Sequence, residues 1–257
     1  MDRKYFYSIM SGKDGTDYET YLNTPRLLSC QKAPELLSNH DEMQFQLVHQ
    51  MQELSMKLIA FTLLEIDELL EKRLVHRIQS LFNRVHLALR NMIDQLTLLE
   101  TMSPRDYQEI RIHLGRGSGQ ESPGFRTLMK MYEELWESYK KHYLHGDEKT
   151  LLEIYDSKFS HSDAYVIAES LAEYDELFQK FRFNHIQLIH RSIGLGAKSL
   201  KGRSVQLLDE GLKMKFFPAL WEVRNQMTNR WGQSYGTSRP TIPNKPKHPR
   251  RRKDDKS

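Results

Sequence analysis

Apolar residues repeat with helical spacing over most of the chain. Residues 41–72 contain neither glycine nor proline, and Leu47, Met51, Leu54 and Leu58 follow one another at steps of four, three and four. Such steps keep side chains on one face of an α-helix. Because further apolar residues lie off this stripe, the pattern predicts a buried central helix rather than a surface helix.

Similar spacing predicts helices along the rest of the chain, and no segment alternates in the way a half-buried strand does. Ser103, Pro104 and Asp106 form a typical helix start, with a capping hydroxyl, a proline in the first turn and an acidic residue nearby. The predicted fold class is therefore all-α. The expected helices cover about 41–72, 73–100, 104–114, 125–143, 147–157, 162–192, 204–214 and 218–227.

Composition divides the chain into three regions. Residues 1–40 form an N-terminal arm with short helices, residues 41–228 form the helical domain, and residues 229–257 form a basic tail rich in glycine and proline. The tail is expected to be disordered, because it has too little apolar surface to order itself. From Lys245 onward it holds seven basic and two acidic residues, so the net charge of +4 belongs to the tail. A nucleic-acid-binding core is therefore not expected.

Several functional classes lack their signatures. Cys30 is the only cysteine, so no intramolecular disulfide can form and a reducing, cytoplasmic location is expected. No window reaches the roughly 20 apolar residues of a membrane helix. The sequence also lacks a phosphate-binding Gly-rich loop, a dinucleotide fingerprint, a His-Glu-x-x-His motif and paired cysteines.

Three sites carry candidate chemistry. His185 lies in an apolar helix, where a neutral imidazole can bind a metal. Phe45 and His49 are four residues apart, as are Tyr107 and Arg111, so each pair shares a helical face. Arginine can grip a carboxylate with two hydrogen bonds. Taken singly, each histidine also fits a hydrogen-bonded core residue, and Arg111 fits a surface ion pair.

Together these segments resemble the tryptophan 2,3-dioxygenase family. The resemblance runs from about residue 18 to residue 224 in fixed order. Its blocks are Tyr21-Leu with Leu27-Leu-Ser, His40-Asp-Glu-Met-Gln-Phe-Gln-Leu-Val-His-Gln, Leu98-Leu-Glu-Thr-Met-Ser-Pro, Asp106-Tyr-x-x-x-Arg, Ser118-Gly, Phe181-Arg-Phe-x-His, Arg191-x-Ile-Gly and Phe216-Phe-Pro-x-Leu-x-x-Val-Arg.

The resemblance implies a helical homotetramer with one non-covalent haem b per subunit, which opens the indole ring of L-tryptophan with O2 to give N-formylkynurenine. His185 would be the axial iron ligand, and Ser118 would lie near the haem. The substrate would contact His49, at its indole nitrogen, and several binding residues. These are Phe45, Tyr107, Arg111, Ser199 and, from a neighbouring subunit, Tyr18 and Tyr21.

The sequence departs from the family pattern mainly near the expected substrate lid. Ser55 replaces a usual tryptophan, Gly119-Gln-Glu-Ser replaces Gly-Phe-Gln-Ser, and Lys198-Ser-Leu-Lys-Gly-Arg-Ser replaces a glycine-rich loop. Two alternatives therefore stay open. One is a related haem mono-oxygenase or hydroxylase acting on a tryptophan derivative or a tyrosine-like ring, and the other is a non-enzymatic helical interaction protein.

Overall fold

The computed structural model describes residues 1–10, 12, 15–115, 117–157, 161–198, 200, 202, 211–232 and 241–242. Within these ranges every regular element is helical, which confirms the all-α fold class. The helices are α1 (Arg3–Met10), α2 (Asp17–Leu22), α3 (Thr24–Leu27), α4 (Asp41–Lys72), α5 (Val75–Leu99), α6 (Pro104–Ile112), α7 (Pro123–Tyr143), α8 (Thr150–Tyr155), α9 (Asp163–Ile193) and α10 (Pro218–Gly232), with 3-10 turns at Pro34–Leu36 and Gly119–Glu121.

Four long helices form the body of the fold. α4 and α5 make an antiparallel hairpin whose turn is closed by Arg73 in the left-handed conformation, at φ 53°. α7 packs against α4, and α9 packs against α5. Phe125 of α7 stacks on Phe178 of α9, with ring centroids 5.6 Å apart, and this contact closes the bundle. No helix in these ranges is both long and apolar enough to span a bilayer.

Helix ends follow the local sequence. The Ser103 hydroxyl accepts the Asp106 amide at 3.1 Å and starts α6, as the sequence predicted, although α6 ends at Ile112 rather than close to Gly115. Most of the helix predicted at 204–214 and most of the predicted tail lie outside the described residues. α10 extends further than expected, from Pro218 to Gly232.

One sequence expectation about α4 was wrong. The stripe predicted to be buried, comprising Leu47, Met51, Leu54 and Leu58, is 37–52% exposed. The core is formed by the opposite face of the helix. The reason is that α4 has two apolar faces, and α5 and α7 cover only one of them. That buried face comprises Val48, Met56, Ile59, Leu63, Ile66 and Leu70.

A buried carboxylate fixes the segment before α10. Asp175 of α9, which is fully buried, accepts the amides of Phe216 and Phe217 at 3.1 and 3.3 Å and the Trp221 indole N–H at 2.8 Å. Because an unpartnered buried carboxylate would be costly, these donors stabilise both the charge and the chain path. The block that begins at Phe216 therefore anchors this segment to α9.

Candidate functional site

The site forms where α4, α6 and α9 meet. Phe45 and His49, one turn apart on α4, have ring centroids 4.2 Å apart. Tyr107 of α6 brings its ring to 6.1 Å from that of Phe45. The two pairs predicted from helical spacing thus come together as one aromatic cluster, with α6 held beside α4. Asn39 contributes to this placement, since its side-chain amide donates to the Asp106 carbonyl at 2.9 Å.

The tautomer of His49 follows from its hydrogen bond. Nδ1 of His49 lies 2.7 Å from the carbonyl oxygen of Phe45. A carbonyl only accepts, so Nδ1 carries the proton and Nε2 of the neutral ring has a free lone pair. Burial lowers the pKa of His49, although the Phe45 carbonyl and the charge of Glu53 oppose this shift. His49 therefore offers a neutral acceptor for an N–H group.

His185 of α9 differs from the other buried histidines in lacking a partner. None of the described residues forms a hydrogen bond with its ring that affects its pKa. Burial, followed by the proximity of His49, lowers the pKa of His185 to about 4. The ring of Phe181 lies parallel to it, with centroids 6.2 Å apart. The result is a neutral imidazole near His49 with nitrogen lone-pair capacity to spare.

The backbone of Gly119 also lies against the His185 ring. A Cβ atom built on Gly119 would lie 3.4 Å from Cε1 of His185, at van der Waals contact. Gly119 begins the 3-10 turn that Ser118 caps, and the Ser118 amide donates to Glu121 at 3.1 Å. Ser118 therefore directly precedes the glycine that contacts His185, and its own hydroxyl caps the 3-10 turn.

Arg111 is connected to the segment predicted to act as a lid. Its Nη2 donates to the Lys198 carbonyl at 2.6 Å, across 87 residues of sequence. The burial that surrounds Tyr107 raises the pKa of that phenol, and the nearby positive charge of Arg111 partly opposes the shift. Tyr107 thus remains a hydroxyl donor beside a guanidinium. Ser199, the next residue in the segment, lies outside the described residues.

Tyr18 and Tyr21 do not reach this cluster within the chain. Both lie on α2 and are 69% and 89% exposed. α2 has a complete capping box, in which the Thr16 hydroxyl accepts the Glu19 amide at 3.2 Å. The helix is therefore well formed, and among the described residues its tyrosines are not part of the Phe45, His49 and Tyr107 cluster.

Sequence reasoning assigned no role to Glu53 or to the Lys198 backbone. Glu53 follows His49 by one turn, and its carboxylate accepts the Gly124 amide at 3.0 Å, which joins α4 to the start of α7. A Cβ on Gly124 would lie only 2.7 Å from Cβ of Met56, so this approach needs glycine. The i,i+4 spacing of His49 and Glu53 was a usable signal, whereas the distant Lys198 contact left none.

Two neutral imidazoles, an aromatic wall and a guanidinium define a helical protein suited to a metal-centred cofactor and a small polar aromatic ligand. The sequence profile of the tryptophan 2,3-dioxygenase family matches residues 8–152, more than half of the chain. The chain therefore belongs to the tryptophan 2,3-dioxygenase family. The match includes α4 and α6, while His185 lies beyond its end.

Individual relatives extend the similarity further along the chain. The tryptophan 2,3-dioxygenase of Myxococcus xanthus is 28% identical, with 83% of this chain and 90% of that protein aligned. The enzyme of the same name from Erythrobacter litoralis is 29% identical over 80% of this chain and 97% of its own length. That of Bacillus thuringiensis subsp. konkukian is 28% identical, with coverage of 84% and 94%.

Proposed function

We propose that this chain is a haem-dependent dioxygenase that opens the indole ring of L-tryptophan to give N-formylkynurenine. Family membership and the names of the relatives support this reaction. The observation that carries the proposal is the meeting of His49 and His185, two imidazoles with lowered pKa values, beside the Phe45 and Tyr107 rings.

The residues present fit a non-covalent haem b. His185 is neutral and has no hydrogen-bond partner among the described residues, so its ring would be able to supply a nitrogen ligand to the haem iron. Gly119 presents only backbone to the Cε1 edge of that ring. We assign His185 as the iron ligand and Ser118 as a neighbour of the haem. When bound, ferrous haem supplies the binding and activation of O2.

The remaining residues orient the substrate. Nε2 of His49 accepts the indole N–H, because its Nδ1 proton is already committed to the Phe45 carbonyl. Phe45 forms an aromatic wall for the indole, and Arg111 binds the carboxylate with two charge-assisted hydrogen bonds. Tyr107 donates its hydroxyl beside Arg111. Fixing both ends of the substrate determines which ring carbons face the oxygen.

Arg111 can contact the substrate carboxylate and the Lys198 segment at the same time. Nη2 of Arg111 now donates to the Lys198 carbonyl, and the other guanidinium N–H groups can serve a carboxylate. Ser199 follows Lys198 directly, and we assign its hydroxyl to the substrate ammonium on the basis of the family resemblance. One side chain would thereby link the substrate to the segment that contributes Ser199.

Assembly completes the proposal. We infer a homotetramer in which Tyr18 and Tyr21 contribute to the site of a neighbouring subunit. Tyr18 and Tyr21 are 69% and 89% exposed in the single chain, so both side chains are accessible to a neighbouring subunit.

The test combines product analysis with one variant. Reduced, haem-loaded protein should convert L-tryptophan to a product heavier by two oxygen atoms; a gain of one oxygen would instead favour the mono-oxygenase alternative. Arg111→Ala should weaken tryptophan binding by about 2–4 kcal/mol, because a carboxylate loses its charged partner. Arg105→Ala, on the same helix with an 86% exposed side chain, is the matched control and should bind normally.

A second titration uses indole, which has no carboxylate, to separate binding of the carboxylate from binding of the ring. Arg111→Ala should leave indole affinity unchanged. Tryptophan affinity equal to that of the wild type in Arg111→Ala would contradict the carboxylate assignment.

A further inference from the structure

The outward face of α4 carries an apolar stripe that the described part of the chain leaves partly exposed. We define the outer stripe as Leu47, Met51, Leu54, Leu58 and Phe61, whose side chains are 37–69% exposed. A monomeric soluble protein rarely leaves a continuous apolar strip of this kind in water.

The spacing of the outer stripe indicates the kind of partner. Its steps are four, three, four and three residues, a repeat of 3.5, which is the period of a helix that packs along another helix. Its direction is opposite to the core face of the same helix, which includes Val48, Met56 and Ile59. α4 is therefore built to be covered on both sides.

The charges along α4 sharpen this conclusion. Within residues 47–64 the only charged side chains are Glu53, which binds the Gly124 amide, and Lys57. The following eight residues contain five charges and end the apolar surface. A membrane-surface helix would instead have a polar face rich in lysine and arginine, and α4 has none.

We propose that the outer stripe pairs antiparallel with the outer stripe of a second copy of this chain, about a two-fold axis that crosses the outer face of α4 between Leu54 and Leu58. In this alignment Leu54 faces Leu58 of the partner subunit, and Met51 faces Phe61 of the partner subunit. The centre of the stripe is therefore complementary to itself, as an isologous interface requires, while Leu47 at each end lies opposite Glu65 of the partner subunit, a residue that pairs with Arg77 in its own chain. Ser55, beside the axis, is small, and its hydroxyl already donates to the Met51 carbonyl at 2.8 Å.

The size of the surface is adequate for a specific contact. An aromatic side chain such as Phe61 buries roughly 150–250 Å², and the four aliphatic side chains of the stripe are smaller, so the five, which are about half exposed, offer on the order of 400 Å² per copy. With the flanking Gln50, Lys57 and Leu64, a pair of copies reaches the about 1,000 Å² expected of a specific interface. Phe45 and His49 lie on the opposite side of α4. The contact between the two outer stripes, which we call the seam, therefore supports the helix that carries the site.

The first test measures mass. Leu58→Glu should weaken self-association at least 100-fold in sedimentation velocity, because each pair would bury two carboxylates in an apolar seam. Leu87→Glu is the matched control, since Leu87 is 59% exposed on α5, and its mass should equal that of the wild type. Circular dichroism checks that both variants keep their helices.

The second test holds even if Leu58→Glu fails to fold. In a Cys30→Ser background, Met51→Cys and Phe61→Cys chains are co-expressed and then oxidised. The antiparallel seam predicts disulfide-linked dimers in the mixture and none with either variant alone. Dimers from each variant alone would show parallel pairing and overturn the proposal, as would the absence of dimers everywhere.

The outcomes also separate this proposal from the enzyme assignment. The inference specifies the contact surface for the assembly proposed above and does not depend on the reaction. A wild-type mass that persists in Leu58→Glu would refute the seam and leave the tetramer. Seam disulfides in a protein that does not turn over tryptophan would refute the reaction and leave the seam.

Discussion

His86 and His185 are both enclosed by the helical bundle, and they differ in what their ring nitrogens meet. Nε2 of His86 lies 3.0 Å from the Ser170 carbonyl and Nδ1 lies 3.2 Å from the Glu173 carboxylate, so both nitrogens have acceptors. His185 has no such partner among the described residues. His86 thus joins α5 to α9, whereas His185 retains its capacity to bind something else.

His49 lies between these two cases. One of its nitrogens donates to the Phe45 carbonyl and the other is free. Burial lowers the pKa of all three histidines, so burial alone does not distinguish a structural histidine from a functional one. The number of ring nitrogens that have a hydrogen-bond partner does distinguish them, and this number predicts three different responses to substitution.

Removing His185 should have the largest effect. His185→Ala should lower haem affinity more than 100-fold, because the iron loses its only protein ligand in the proposed site. Without haem, its free energy of unfolding should fall less than that of His86→Ala, since the ring leaves a cavity but no hydrogen bond to a described residue is lost. Haem titration followed at the Soret band and urea unfolding measure the two effects. A large loss of stability would place His185 with His86 as a structural residue.

Removing His49 should separate haem binding from turnover. His49→Ala should retain haem and lose about 100-fold in kcat/KM, roughly 2.7 kcal/mol, because the indole N–H loses its acceptor. Steady-state kinetics on reconstituted protein measures this effect. 1-Methyltryptophan, which has no indole N–H, is the control substrate and should respond little to the substitution. Equal losses on both substrates would contradict the role of Nε2.

Removing His86 should affect stability alone. His86→Ala should lower the free energy of unfolding by about 2–3 kcal/mol, because the Ser170 carbonyl loses its donor and the ring leaves a cavity. Haem affinity and kcat/KM should be unchanged once the variant is folded. Urea unfolding at constant pH is the measurement. If the His86→Ala protein were stable but did not bind haem, His86 would have the role in haem binding that we assign to His185.

The smallest effect concerns pH. Only the neutral form of His49 accepts the indole N–H, and its pKa lies below the ordinary value near 6.5, so kcat/KM should stay level as the pH falls through about 6.5. Glu53→Gln should move the decline to still lower pH, since the charge of Glu53 raises the pKa of His49. If kcat/KM already declines at pH 6.5 or above as the pH is lowered, the result would be inconsistent with a buried, neutral His49 ring.

The same sign applies to the stability of the haem-free chain. The native pKa of His185 is about 4, so the unfolded chain binds a proton below about 6.5 that the native chain does not bind. Stability should therefore decline as the pH falls from about 6.5 towards 4.

The sequence predicted the long helices well because each is marked locally. α4 was expected over 41–72 and is found at Asp41–Lys72, and α6 begins at its predicted serine cap. The pattern could not reveal which apolar face of α4 the same chain would cover. That choice depends on how α5 and α7 pack, and the stripe at Leu47 and Met51 was assigned to the wrong environment.

The site was predictable only where its residues are close in sequence. The Phe45–His49 and Tyr107–Arg111 pairs follow from one helical turn, and His185 was singled out by its apolar helix and by the family resemblance. The contact between Arg111 and the Lys198 carbonyl joins residues 87 apart, and the approach of Gly124 to Met56 depends on helix packing. Neither leaves a local signal.

The iron–nitrogen stretching vibration tests the central claim most directly. In resonance Raman spectra of the reduced, haem-loaded protein, this band should shift to lower frequency when the histidines carry ¹⁵N. It should persist in His49→Ala and His86→Ala and be absent from His185→Ala. A band that survives in His185→Ala, or disappears in His49→Ala, would contradict the assignment of His185 as the iron ligand.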